Sequence, residues 1–354
     1  MTSKTSIKTA KRNKISPQQL FFLLYISRVV VCLTDAQSVT FSKITSDILV
    51  SIVLSLGLTL LLYLPVIYCC KKGKSPFDIK WLGALYSLFF IFTAGLNVSR
   101  FSYFASTTLN PETQSWVFAF FIVLCACYCA MLGIEALSRF SFFAFSLMIL
   151  AVAVILASNV KSYEEINLYP VINSSKNTIF LNTLTITSNT IEGAVFLCLA
   201  DRLNAPSIKS FASSISASFF TVFVLFLFMI GIMGDSAAVQ SFPLYSMFQM
   251  SKISSFERLD ILHISFWVMA VFVKTTLLIY CASISVKKFK MKNKCIFFAL
   301  CTFAVCLLLI NTGISQNVKP VFIIVPFLIF CVIIPLLTLI FKKKNKGDDL
   351  VKKF

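Results

Sequence analysis

Three ionisable residues stand where their chemistry is at odds with their surroundings. Glu192, Lys274 and Arg28 each interrupt a long apolar stretch. A charge at membrane depth costs several kcal/mol unless it is paired or hydrated, so such residues mark packing ties or functional sites. Glu192 and Lys274 carry opposite charges at similar depth, which suggests a site in which either group could titrate. Arg28 has Asp35 two turns later, and Arg100 has Asn97 one turn before it. Paired charges that only fix helix packing are the competing reading for each.

Other polar features carry less. The segment 182–190, Asn-Thr-Leu-Thr-Ile-Thr-Ser-Asn-Thr, is a polar run inside an apolar stretch. Its side chains can bond their own backbone and compete with helical hydrogen bonding, and Gly193 follows closely. His263, the sole histidine, lies beside Asp260 near an apolar segment's start, as a packed or interfacial side chain. Cys125, Cys127 and Cys129 have a metal site's look, but on a helix Cys127 points away from the other two. They read as small buried hydrophobes. Metal clusters, nucleophile–base pairs and glycine-rich phosphate loops are not found in the sequence, and neither a cofactor nor a catalytic role is expected.

The elements that must position these residues follow from composition. The chain has 354 residues, 58% hydrophobic and 13% charged, with 38 phenylalanines and a mean hydropathy of +0.88. A soluble domain carries roughly 45–50% apolar and about 25% charged residues. A soluble enzyme, a disordered chain and a nucleic-acid-binding protein are thereby excluded. An all-α integral membrane protein is expected. At about 20 apolar residues per crossing, ten spans can be placed at 20–38, 48–70, 81–106, 115–137, 140–158, 178–199, 211–234, 259–285, 295–311 and 320–341. Pro65, Pro326 and Pro335 fall within spans, where a kink is tolerated.

The net charge of +18 tests the threading. With ten spans, 23 basic residues face one side, six face the other, and Arg28, Arg100 and Lys274 lie within spans. That asymmetry predicts both termini in the cytoplasm, with basic tails at 1–16 and 342–354 around a transmembrane domain at 17–341. The longest outer connections are 159–177 and 235–258, and the latter holds an amphipathic segment, 242–248, suited to a short helix on the outer membrane surface.

Spans one and six begin two five-helix halves, and each carries a polar blemish: Ser27-Arg28 and the run at 182–190. Interrupted helices at matching positions of two halves point to a midplane small-molecule site. Two continuous helices with a bundle-facing polar stripe remain the alternative, because neither segment has a Gly or Pro cluster.

Between spans seven and eight the residues form a recognisable pattern. Ser241-Phe-Pro243-Leu-Tyr245-Ser-Met-Phe, then Phe256-Glu-Arg258-Leu-Asp260-Ile, then Trp267, Lys274 and Tyr280 resembles the spore-germination permease family. These are the B subunits of germinant receptors, related to amino-acid/polyamine/organocation transporters. The opening Lys14-Ile-Ser-Pro-Gln-Gln-Leu-Phe-Phe22 and the pair Ile191-Glu192-Gly193 and Asn204-Ala-Pro206 agree, and the resemblance spans essentially the whole chain. It implies a LeuT-like fold of two inverted five-helix repeats with helices one and six broken. It also implies a multi-pass protein of the spore inner membrane that works with A and C subunits and binds an amino-acid-like germinant.

On that pattern Thr276 and Tyr280 would line the pocket from span eight, facing Glu192, Gly193 and Ser188 from span six. Asn97 and Tyr103 would contribute from span three, and Ser27 and Arg28 from span one. Arg258 and Asp260 would shape an outer gate or a subunit contact, and Glu192 with Lys274 would form a charge pair. Two positions depart from the pattern: Ser27-Arg28 stands where small residues are common, and Ala200-Asp201-Arg202 where a proline is. A transporter of amino acids coupled to a cation, on the same fold, is the alternative function.

Overall fold

In the computed structural model, residues 14–35, 46–172, 174–204, 207–250, 260–286, 293–314 and 318–341 are described, with backbone alone for 32–35. The basic tails at 1–13 and 342–354, and Arg258, lie outside these residues. No strand is present among the described residues; Ile15 and Leu203 form one isolated parallel bridge. The architecture is all-helical, as lipid requires of a chain that must satisfy its backbone groups within each segment. Among the described residues nine helices are long and apolar enough to cross a membrane, and the first helix, Pro17–Asp35, has a shorter apolar stretch.

Span one opens on local chemistry. Ser16 Oγ accepts a hydrogen bond from Gln19 N at 3.2 Å, and Gln19 Oε1 accepts one from Ser16 N at 2.9 Å. This reciprocal cap starts the helix, with Pro17 in the first turn, where its missing N–H costs nothing. The helix then runs uninterrupted to Asp35, so the break expected in span one is absent. Neither Ser27 nor Arg28 removes a backbone donor or relaxes φ, and Arg28 takes its partners from other spans.

Span two is Asp47–Lys71, with a break in helix assignment at Tyr63, next to Pro65. Span three is Lys80–Leu109 and ends in a π-helical turn. Spans four and five, Ser115–Leu132 and Ile134–Asn159, meet at Gly133 alone. Its φ of 96° is a conformation other residues rarely adopt, so the connection is shorter than the sequence indicates and lies nearer the N-terminus. Span seven is Ile208–Met233, span eight Asp260–Ser285, span nine Lys294–Thr312 and span ten Val321–Phe341. Pro326 and Pro335 bracket a π-helical stretch, Leu328–Ile333, where span ten yields.

Spans three, six and eight are the most enclosed, whereas four and nine bury the smallest share of their residues. Span three packs along span eight, and span one along span seven. The outer helix forms at Pro243–Met250, but not as a surface float. Its Leu244, Tyr245, Met247 and Phe248 are buried; Phe248 lies 4.1 Å from the ring of His263, and Tyr245 5.1 Å from Phe104. Burying four apolar faces against protein outweighs lying in the membrane interface.

Candidate functional site at the break in span six

Span six is two helices, Lys176–Ser188 and Glu192–Leu199, separated by the non-helical residues 189–191. The polar run accounts for the interruption. Thr183, Thr185 and Ser188 donate to the carbonyls of Ile179, Leu181 and Leu184 at 2.8, 2.8 and 2.6 Å. Such back-bonding weakens and bends a helix. Tyr63 then donates from its hydroxyl to the carbonyl of Thr190. That bond satisfies an acceptor that the break leaves out of the helical ladder, which is how irregular backbone survives at membrane depth. The Tyr63 ring also lies where a side chain on Gly193 would have to go, which explains the glycine there.

Around the break lies a charge cluster. Ser27 Oγ donates to Glu192 Oε1 at 2.8 Å, and the Lys274 ammonium lies 3.7 Å from the same oxygen. Lys274 Nζ also donates to the main-chain carbonyl of Ser27 at 2.9 Å. Spans one, six and eight are thus tied by three side chains and one carbonyl, all on buried residues. Arg28, one residue on, stacks its guanidinium 4.6 Å above the Phe219 ring of span seven and reaches the Ile186 carbonyl at 3.4 Å. The cation–π contact offsets part of the cost of burying it.

A cavity of about 50 Å³ opens beside the cluster. Asn97, Arg100, Ser188, Asn189, Ile191 and Lys274 line it, with Phe322 and Pro326 of span ten. Asn97 is held by span eight, donating to Thr275 Oγ1 at 3.2 Å. Of the residues expected at the pocket, Asn97 and Ser188 line this cavity, joined by Lys274, which was expected as the partner of Glu192. Ser27, Glu192, Arg28 and Gly193 stand behind it in the charge cluster or at the break.

Three residues do not join them. Thr276 is fully buried and turns its hydroxyl back to the Phe272 carbonyl at 2.8 Å. Tyr280 lies one turn further toward the C-terminal end of span eight and is not among the residues that line the cavity. Tyr103 is drawn to the outer helix, with its ring 6.2 Å from Phe242. Asp260 accepts a hydrogen bond from Tyr245 at 3.4 Å, which ties the outer helix to span eight at a distance from the cavity. Arg100, noted in the sequence as a charge at depth, was not placed in the site, and Asn189, Phe322 and Pro326 were missed. Pro326 was a visible signal, since a proline inside a span marks a place where backbone groups are freed.

A family model described as spore germination protein matches residues 14–317. The chain belongs to the spore germination protein family. Comparison with curated proteins gives no significant match. Among solved structures, it is similar to a nucleobase-cation-symport-1 family transporter in a closed conformation with bromovinylhydantoin bound. The two are 10% identical with a TM-score of 0.54, over 93% of this chain and 92% of that one. At that identity the likeness carries the fold alone: this germination-family permease shares the LeuT-like architecture of a transporter.

Proposed function

We propose that the protein is the membrane subunit of a spore nutrient-germinant receptor. In this reading it binds a small amino-acid germinant at the span-six break and passes the change to A and C partner subunits, in the spore inner membrane. The observation that carries this is the non-helical segment 189–191 opening onto a cavity lined by Asn97, Arg100 and Lys274. The cations Arg100 and Lys274 beside the polar side chains of Asn97, Ser188 and Asn189 suit a small ligand that carries a carboxylate. At about 50 Å³ the cavity is smaller than the roughly 150 Å³ apolar hole that admits benzene in an engineered protein. Ligand entry therefore requires spans three, six and ten to part, and that movement is the signal.

Thermal denaturation of the purified full chain in lipid nanodiscs with each amino acid in turn tests the reading. One amino acid should raise the midpoint by mass action, about 2.7 kcal/mol of stabilisation at a hundredfold excess over Kd. A flat response across all amino acids would sink it. The same chain in sealed vesicles separates receptor from transporter: saturable accumulation of the stabilising amino acid would favour the transporter.

A further inference from the structure

Between spans four and nine, which bury the smallest share of their residues, runs an apolar furrow of about 400 Å³ that shares no residue with the polar cavity. Its shape follows from side-chain size. Val123 of span four and Ala299 of span nine are small and buried, and they make the floor. Leu124, Tyr128 and Leu300 are each more than half exposed and stand as walls. The span-four residues recur at helical spacing from Phe120 to Met131, a stripe about 16 Å long. At one end Phe120 meets Phe303, midway along span nine, edge to face with ring centroids 6.0 Å apart, and closes the furrow. The other end reaches the face on which span four ends and span nine begins.

That length decides between occupants. The furrow covers about half of the roughly 30 Å hydrocarbon core, the depth of one leaflet. A partner's membrane-crossing helix would need a seat through both leaflets, whereas an acyl chain needs only one. Association inside hydrocarbon gains nothing from leaving water, so the furrow is filled for the dispersion contacts its floor otherwise lacks. Charge supplies the selectivity. The chain enters span nine through Lys287, Lys288, Lys290, Lys292 and Lys294. The Lys294 ammonium gives one of its three hydrogens to the Val286 carbonyl at 2.6 Å and has others to offer a phosphate. Arg139, near the start of span five, is instead paired with Glu135 at 2.7 Å. We propose that the furrow is a binding site for an anionic phospholipid of the lysine-rich leaflet, with one acyl chain between spans four and nine and the headgroup at Lys294. Span nine also packs on span three, where Gly95 has no room for a side chain beside Val305. The lipid thus braces the helix that carries Asn97 and Arg100 to the polar cavity.

The purified full chain in nanodiscs is given a phospholipid with a photoreactive diazirine in its acyl chain, bearing either a phosphatidylglycerol or a phosphatidylcholine headgroup, and labelled peptides are mapped. With phosphatidylglycerol, labelling at 120–131 and 296–303 should exceed that at Ile340 and Phe341 several-fold. Those two are exposed at the end of span ten, next to Lys342, Lys343 and Lys344 in the sequence, and control for general attraction of anionic lipid. With phosphatidylcholine the excess should fall several-fold. Ala299→Phe, which fills the floor, should lower furrow labelling with both lipids. Lys294→Gln should label alike with both headgroups, and it leaves the floor untouched, so it serves even where Ala299→Phe does not fold. Furrow labelling equal to that at span ten, or equal for the two headgroups in the unaltered chain, would overturn the proposal. So would an unchanged headgroup preference in Lys294→Gln, unchanged labelling in a folded Ala299→Phe, or cross-links between two copies across the furrow.

Discussion

Glu192 and Lys274 show how far single residues can be read. Their types and depth marked them in the sequence because lipid leaves few reasons for a charge, and they lie 3.7 Å apart. Removing one partner of a buried pair strands the other, at about 3–5 kcal/mol. Glu192→Gln and Lys274→Met should therefore each destabilise strongly, and the double variant should lose less than the sum, by about 0.5–3 kcal/mol. Thermal denaturation of the four chains in one lipid measures this. Strictly additive losses would mean the pair contributes nothing as a pair. Thr276 and Tyr280 were less legible, because apolar patterning does not fix which face of a fully buried helix meets a cavity. From Val273 to Ser283 every residue of span eight is buried, so the periodicity there holds no outward face to calibrate the inward one.

At the scale of the element, span six was readable in kind and span one was not. Five hydroxyl or amide side chains at 185–190 announced a weak helix. The place where it breaks is set from outside, by the Tyr63 hydroxyl on the Thr190 carbonyl and the Tyr63 ring against Gly193. No periodicity within span six could disclose a partner in span two. Span one carries a comparable blemish yet stays helical: Arg28 turns its guanidinium to the Phe219 ring and the Ile186 carbonyl and leaves its own ladder intact. Tyr63→Phe removes the bond and keeps the ring, so the Thr190 carbonyl is left buried without that donor. The cost should be about 1–3 kcal/mol, with faster hydrogen exchange confined to the amides around 189–194. Gly193→Ala keeps the bond and forces the ring aside, and a loss of about 1–3 kcal/mol is expected from overpacking. An unchanged exchange pattern in Tyr63→Phe would show that the break holds itself open.

Across the whole molecule, orientation can be argued twice. The charge asymmetry of 23 to six rests on ten crossings, and long-range hydrogen bonds test the parity of those crossings without using charge. Ile15 N donates to Arg202 O at 2.9 Å and Asn204 N to Ile15 O at 3.0 Å, which places the start of span one beside the end of span six. Six crossings separate those points, so an even number must return the chain to the side it left. Lys74, after two crossings, donates to the Leu339 carbonyl near the end of span ten at 2.5 Å. On the other face, Ser174 donates from its amide and hydroxyl to Asp47 at 3.0 and 2.6 Å, and Asn167 donates to the Gly231 carbonyl at 2.9 Å. Those connections follow one, five and seven crossings, all odd. The lysine-rich connections thus share one face and the sparse ones the other, as the positive-inside rule requires. Green fluorescent protein fused after Phe354 should fluoresce in a bacterial host, and alkaline phosphatase at the same point should be inactive, because both report a cytoplasmic terminus. Alkaline phosphatase fused after 172, between spans five and six, should be active. The reverse pattern would turn the chain over in the membrane and move the Glu192–Lys274 cluster's access to the opposite side.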